Sequence, residues 1–187
     1  MNRQIFTLAN QLTIFRLVLI PFLALAILNR AYGWGLAVLG AAALTDLLDG
    51  MLARGLSQRT PLGAYLDPIA DKLLLSTSFV VLAIERNLPW ALTVLVLGRD
   101  VLILVIAGVI LLVSGFRPFP PSVYGKATTT AQVLTVMVVV LAEVFAEPWL
   151  LGTKQFLIWL TAALTVLSGL HYAWRTGKML PEIPPAA

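Results

Sequence analysis

The chain has 187 residues, of which 59% are hydrophobic and only 12% are charged, and its mean hydropathy is +0.92. Soluble domains carry roughly 25% charged residues, so this composition excludes an ordinary soluble protein and predicts an all-α integral membrane protein. The net charge is +4 and the chain has no cysteine, which excludes disulfides and cysteine-based metal or redox sites.

Apolar runs separated by glycine, proline and charged residues predict six transmembrane helices in a single domain, residues 1–187. Each run is close to the roughly 20 residues that cross a bilayer. Residues 2–9 suit a short helix in the membrane interface, and Arg16 interrupts the first run, which therefore indicates a retained span rather than a signal peptide. The predicted helices cover residues 11–30, 33–54, 62–85, 89–114, 122–146 and 155–175.

The basic residues outside the predicted helices indicate the orientation, because cytoplasmic loops of membrane proteins are enriched in Lys and Arg. Most of them lie at the termini and in the second and fourth connections, so both termini and the 55–61 turn are predicted to face the cytoplasm from an inner membrane. Their scattered positions indicate anionic lipid headgroups, and no nucleic acid, as the partner. The basic residues on the predicted cytoplasmic side are Arg3, Arg54, Arg59, Arg117, Lys126, Arg175 and Lys178. Those on the opposite side are Arg30, Arg86 and Lys154.

Three further cations, Arg16, Lys72 and Arg99, lie inside predicted helices. An ionisable residue at membrane depth costs a few kcal/mol and normally faces the bundle interior or a water-filled cavity. We therefore expect these cations and the five aspartates of the chain to share one polar cavity near the cytoplasmic face.

Four of the five aspartates fall within residues 46–71. Asp46 and Asp49 are three residues apart and Asp67 and Asp71 four apart, so each pair shares one helix face. The turn between the pairs is expected to bring the two helices back antiparallel with the four carboxylates facing one another. Their repulsion favours neutralisation by divalent cations, and an all-oxygen ligand set selects Mg²⁺ or Mn²⁺.

Small residues follow or precede these carboxylates at Gly50, Ala53 and Gly63. They would leave room for a substrate beside the metals, and the alternative is that they serve only close helix packing.

The stretch "DLLDGMLARGLSQRTPLGAYLDPIAD" fits the pattern D-x2-D-G-x2-A-R-x8-G-x3-D-x3-D at every fixed position. It resembles the signature of the CDP-alcohol phosphotransferase family of integral membrane enzymes, and "NQLTIFR" is similar to the family's N-x-L-T-x-x-R segment. The resemblance covers most of the chain. It implies six spans around a metal-binding cavity that opens to the cytoplasm, and a homodimer.

The resemblance also implies roles for individual residues. The family transfers a substituted phosphate from a CDP-linked lipid to an alcohol, releasing CMP, with two divalent cations, Mg²⁺ or Mn²⁺. The implied metal ligands are Asp46, Asp49, Asp67 and Asp71, with Asp71 also the catalytic base. The implied CDP-binding residues are Gly50, Ala53, Arg54 and Gly63, together with Asn10 and Thr13.

Two later segments, "LGRDVLI" and "SVYGKATTTAQ", resemble the branch that makes phosphatidylglycerophosphate and cardiolipin from CDP-diacylglycerol. Arg99 and Lys126 are the expected acceptor-binding residues. Ala107 stands where phosphatidylglycerophosphate synthases carry a second arginine, so glycerol 3-phosphate and phosphatidylglycerol both remain open as acceptors. The alternatives are a family member that uses inositol phosphate or serine and, in another class, a cation transporter, since intramembrane carboxylates also mark ion pathways.

Overall fold

The computed structural model describes residues 8–55, 61–114 and 123–179, and within these ranges it describes the side chains of residues 11–48, 66–106, 108 and 124–174. The described residues form six helices, which confirms the all-α prediction for this part of the chain. They are α1 (Leu8–Leu28), α2 (Tyr32–Gly55), α3 (Pro61–Ile84), α4 (Trp90–Ser114), α5 (Val123–Phe145) and α6 (Pro148–Met179). The predicted interfacial helix lies largely outside the described residues.

The ends of these helices follow from local chemistry. The connections after α1, α3 and α5 each contain a residue in the left-handed conformation, Arg30, Arg86 and Ala146, with φ of 56°, 63° and 50°. After α1, the amide of Ala31 bonds the carbonyl of Ala26 and that of Arg30 bonds Ile27, the hydrogen-bond pattern that closes a helix C-terminus.

The predicted start of the last helix at residue 155 is wrong. The stretch "EPWLLGTKQ" was expected to be a connection, but α6 begins at Pro148. Proline suits the first helical position because its missing N–H has no intrahelical partner there. The apolar residues that follow Pro148 then continue the helix through Gly152.

Within the described residues, three helices contain windows long and apolar enough to cross a membrane: Gln11–Leu28, Tyr124–Phe145 and Pro148–Trp174. Large apolar side chains on the outside include Phe22, Leu104 and Trp159, while many serines and threonines, such as Thr93 and Ser168, are buried. An apolar exterior over a partly polar interior is typical of a protein surrounded by lipid, where polar groups must be satisfied internally.

Helix α1 contacts the two helices that carry the signature aspartates. It packs closely against both α2 and α3, α6 packs against α4 and α5, and α5 also contacts α2 and α3. In the part of the chain that the structure describes, α2 and α3 do not pack directly on each other. Helix α1 lies against both aspartate helices instead, and Asp46 and Asp71 from these two helices bond the same Arg16 side chain. That all four carboxylates face one another stays a prediction, because the Asp49 side chain lies outside the described residues.

Polar contacts fix the register at one end of the bundle. Arg30 Nε lies 2.8 Å from Glu85 Oε2, and Asn87 Nδ2 donates to Tyr32 Oη at 2.8 Å. The α1–α2 and α3–α4 connections are thus side by side, and α1 and α3 run in the same direction. The apolar core lies towards this end, with Leu23, Ile27, Phe79, Leu82 and Val139 fully buried.

Candidate active site

Arg16 joins three helices at the polar end of the bundle. Its Nη1 lies 2.5 Å from Asp71 Oδ1 on α3, and its Nη2 lies 3.1 Å from Asp46 Oδ1 on α2. The arginine side chain is 1% exposed, whereas those of Asp46 and Asp71 are 57% and 48% exposed. The guanidinium therefore lies behind two carboxylates that keep access to solvent.

Thr13, one turn before Arg16 on the same face of α1, donates a hydrogen bond to Asp67 Oδ1. Thr13 is fully buried. The threonine and the arginine thus contact the two aspartates of α3, Asp67 and Asp71, whose spacing of four residues places them one helical turn apart. The "NQLTIFR" segment and the second half of the aspartate signature meet in the fold.

A cavity of about 400 Å³ adjoins the Asp46 and Asp71 carboxylates between α2, α3 and α5. Arg16, Asp46 and Asp71 line one end, Ser78 and Thr129 add hydroxyl groups, and most of the remaining lining is apolar. The apolar lining residues are Leu39, Ala42, Ala43, Leu47, Leu74, Leu75, Val133, Val136 and Met137. Its volume lies in the roughly 300–1,000 Å³ range of ligand pockets.

A second polar cluster lies on the other side of α3. Lys72 Nζ is 2.7 Å from Asp100 Oδ2, and Arg99 Nη1 is 2.9 Å from Asp100 Oδ1. Arg99 Nη2 also donates to Ser168 Oγ on α6 at 2.6 Å, and its guanidinium lies 5.9 Å from the centre of the Tyr172 ring.

The expectation of one shared polar cavity is therefore wrong. Lys72, Arg99 and Asp100 do not line the cavity beside Asp46 and Asp71. The physical reason is the helix itself: Lys72 follows Asp71 by one residue, about 100° further round α3, because a helical turn has 3.6 residues. Successive charged residues thus belong to different clusters.

The two expected acceptor-binding residues differ in exposure. Arg99 is 8% exposed, with one Nη engaged by Asp100 and the other by Ser168. Lys126, near the start of α5, is exposed. Ser168 was not anticipated as a partner of Arg99; the signal available was the row of buried hydroxyl residues Thr161, Thr165 and Ser168 on one face of α6.

Several predicted site residues have side chains outside the described residues. They are Asn10, Asp49, Gly50, Ala53, Arg54 and Gly63, and Ala107 joins them. Of the four signature aspartates, Asp46, Asp67 and Asp71 are described.

Among the described side chains, no group of three Asp, Glu or His residues converges as a metal site does. The donor chemistry nevertheless fits a hard divalent cation, because the ligands on offer are carboxylate oxygens without cysteine or histidine. The exposed fractions of Asp46 and Asp71 leave oxygen lone pairs accessible beyond those that Arg16 occupies. The residues therefore fit such cations by donor type.

Comparison with known proteins adds independent evidence. The sequence model of the CDP-alcohol phosphatidyltransferase family matches residues 6–167. A probable phosphatidylglycerophosphate synthase of Mycobacterium tuberculosis is 34% identical over 181 residues, covering 92% of this chain and 82% of the relative.

Two further relatives carry related names. A CDP-diacylglycerol–glycerol-3-phosphate 3-phosphatidyltransferase of Aquifex aeolicus is 35% identical over 176 residues, which is 91% of this chain and 96% of the relative. A CMP-forming cardiolipin synthase of Homo sapiens is 30% identical over 194 residues, covering 94% of this chain and 64% of the relative.

The matched range takes in both the α1 segment with Thr13 and Arg16 and the complete aspartate signature. The chain belongs to the CDP-alcohol phosphatidyltransferase family, as the signature predicted.

Proposed function

We propose that this chain is a phospholipid-synthesis enzyme that transfers the phosphatidyl group of CDP-diacylglycerol to a glycerol-type alcohol and releases CMP. The observation that carries the proposal is the cavity, where Arg16, Asp46 and Asp71 adjoin apolar walls. A substrate with a charged headgroup and an acyl chain matches both parts of that lining. The names of the relatives support the same reaction.

In this reaction the acceptor hydroxyl oxygen forms a bond to the phosphorus of the phosphatidyl group, and the bond from that phosphorus to CMP breaks. Asp71 is the proposed base that takes the hydroxyl proton, since a carboxylate within hydrogen-bond reach can do so. Its side chain is 48% exposed at the cavity, so an acceptor can approach it. CMP leaves as the anion.

Asp46, Asp49, Asp67 and Asp71 are the residues that would hold two divalent cations, Mg²⁺ or Mn²⁺. Such cations, when bound, offset the negative charge of the reacting phosphates. Arg16 and Thr13 orient three of these carboxylates from α1.

The CDP group is proposed to lie against the small residues of the signature, with the N-terminal segment of α1 beside it. The hydrogen bond from Thr13 to Asp67 supports this placement, because it puts that segment next to the carboxylates. The residues proposed to contact CDP are Asn10, Thr13, Gly50, Ala53, Arg54 and Gly63.

The acceptor is proposed to be glycerol 3-phosphate or phosphatidylglycerol, which are both glycerol-based. The names of the relatives include synthases of both products. Arg99 and Lys126 are the proposed acceptor-binding residues. Lys126 is exposed and suits direct contact with an acceptor phosphate, whereas Arg99 already bonds Asp100 and Ser168.

We further propose that all six helices span the inner membrane, with both termini and the active site facing the cytoplasm, and that the protein is a homodimer. The basic residues of the connections support the orientation. The proposal puts the α1–α2 and α3–α4 connections on the same, non-cytoplasmic side of the membrane. The contacts between these two connections agree with that placement.

The test uses the purified full chain in lipid nanodiscs with CDP-diacylglycerol and Mg²⁺ or Mn²⁺. Glycerol 3-phosphate, phosphatidylglycerol, inositol phosphate and serine are supplied in turn, and CMP and the lipid product are measured. We expect product with a glycerol-type acceptor and a loss of about 100-fold or more in Asp71→Asn, the scale of a missing general base.

Glu85→Gln is the control, since Glu85 bonds Arg30 at the far end of the bundle. Product formed only with inositol phosphate or serine would refute the acceptor class. Near wild-type turnover in Asp71→Asn would refute the proposed role of Asp71.

A further inference from the structure

Arg16 is a buried charge whose position links the two carboxylate helices. Its side chain is 1% exposed, and a buried charge is strongly unfavourable unless it is paired. Asp46 on α2 and Asp71 on α3 supply that pairing through different Nη atoms. Because α2 and α3 do not pack directly on each other in the described part of the chain, the guanidinium is a direct polar bridge between their carboxylates.

We propose that Arg16 is a positioning residue that holds the Asp46 and Asp71 carboxylates together across α1 and, by its charge, weakens the binding of divalent cations at those same carboxylates. This inference rests on the proposed function, in which the signature aspartates hold the cations. It assigns to Arg16 two separable effects, one geometric and one electrostatic.

The geometric effect follows from the shape of the arginine side chain. A planar guanidinium has donors on two sides and can bond two carboxylates at once, which the single ammonium of lysine does less well. Arg16 contacts one oxygen of each aspartate. Each carboxylate has two oxygens and about four lone-pair positions, so oxygen sites remain for a cation while the arginine stays bonded.

The electrostatic effect follows from the charge that stays behind. A cation bound by Asp46 or Asp71 would lie within a few Å of a guanidinium that cannot lose its proton in a protein. Repulsion between positive charges at that distance is substantial even at the effective dielectric constant near a protein surface. The same charge makes the site less negative, which favours the approach of the pyrophosphate of a CDP-linked substrate.

The two effects are separated by measuring Mn²⁺ binding by electron paramagnetic resonance, and thermal unfolding with and without Mn²⁺, on the full chain in detergent without any CDP compound. In Arg16→Gln we expect Mn²⁺ to bind about tenfold more tightly or better. We also expect a lower Tm without Mn²⁺ and a larger rise in Tm on adding it than in the wild type.

Arg16→Lys retains the charge and loses the two-sided contact, so its Tm should fall while its Mn²⁺ affinity stays within about threefold of wild type. This variant keeps the test valid if Arg16→Gln does not fold. Arg30→Gln is the matched control, because Arg30 also pairs with a carboxylate but is 76% exposed at the opposite end. It should change neither the Mn²⁺ affinity nor the rise in Tm on adding Mn²⁺.

Unchanged or weaker Mn²⁺ binding in Arg16→Gln would overturn the electrostatic part and indicate a purely structural or phosphate-binding arginine. Tighter Mn²⁺ binding in Arg16→Lys would overturn it as well. A wild-type protein that binds CDP-diacylglycerol and turns it over without binding Mn²⁺ or Mg²⁺ would refute the metal site of the proposed function, and this inference with it. If the wild type binds Mn²⁺ and substitution of Arg16 leaves the Mn²⁺ affinity unchanged, this inference is refuted and the metal site of the proposed function is not.

Discussion

The Lys72 ammonium on α3 lies 2.7 Å from the Asp100 carboxylate on α4, and the other oxygen of that carboxylate lies 2.9 Å from Arg99. Asp100 is thus shared by two cations from two helices. Arg99 also donates a hydrogen bond to Ser168 on α6. The carboxylate and Arg99 together therefore link α3, α4 and α6.

Asp100→Asn is expected to lower the free energy of unfolding by about 2–4 kcal/mol, because removing one partner leaves a buried charge without its counterion. The half-exposed Lys72 reduces the loss, while Arg99, at 8% exposed, accounts for most of it. Denaturant unfolding in mixed micelles measures the change. Glu85→Gln, which breaks a pair with the exposed Arg30, should cost no more than about 1 kcal/mol; equal losses in both variants would contradict the prediction.

Thr13→Val keeps the shape of the side chain and removes the hydroxyl that bonds Asp67. Asp67 then loses a contact that orients it, so the Mg²⁺ or Mn²⁺ concentration for half-maximal CMP release should rise several-fold. The free energy of unfolding should fall by only about 1 kcal/mol, the net contribution of an ordinary hydrogen bond. Thr93→Val is the control, because Thr93 is equally buried but bonds the carbonyl of Phe79. An unchanged metal requirement in Thr13→Val would count against the placement of Thr13 at the site.

Ala43→Phe adds a ring at the wall of the cavity. If the cavity accepts an acyl chain, the KM for long-chain CDP-diacylglycerol should rise several-fold, while a short-chain analogue that does not fill the cavity should be affected much less. CMP release with the two donors measures the difference. Leu44→Phe is the neighbouring control, since Leu44 is 57% exposed and does not line the cavity. Equal KM changes for both donors would show that the chain lies elsewhere.

Lys126→Gln removes an exposed cation near the start of α5. With glycerol 3-phosphate as acceptor, its KM should rise about ten- to a hundredfold, because a charge-assisted contact to phosphate contributes about 1.5–3 kcal/mol. The KM for CDP-diacylglycerol should change little. Lys154→Gln is the control, because Lys154 pairs with Glu143. An unaltered KM for glycerol 3-phosphate would exclude Lys126 from the acceptor site.

Single cysteines report the orientation cleanly, because the chain has no cysteine of its own. Ser57→Cys should react with a membrane-impermeant maleimide only from the cytoplasmic side, and Arg86→Cys only from the opposite side, as the distribution of basic residues predicts. Reaction of both cysteines from the same side would contradict the alternating topology. Reversed labelling of the two would place the active site on the other face.

Much of the helical architecture could be predicted from sequence because long apolar runs and their breakers act locally. The bounds of α2 and α3 differ from the predicted ones by one residue at each end. The start of α6 was missed because Pro148 was interpreted as a breaker, whereas at the first helical position it begins a helix.

The site was predictable in part for the same reason. The spacing of Asp67 and Asp71 on one helix face is a local property, and both do contact α1. The pairing of Arg16 with Asp71 spans 55 residues, and helical periodicity carries no information about which helix an arginine will face. The division of the charges into two clusters depends on the same packing, so it could not be read from the sequence.

Arg16 also bears on how the protein is made. Asp71 lies 55 residues after it, and at about 5–20 residues per second the ribosome needs roughly 3–11 s to reach that partner. An arginine in the middle of a hydrophobic segment disfavours its release into lipid by about 2.5–3.5 kcal/mol. During synthesis α1 is therefore expected to remain at the insertion channel until α2 and α3 arrive, so that the first three helices enter the bilayer as one unit.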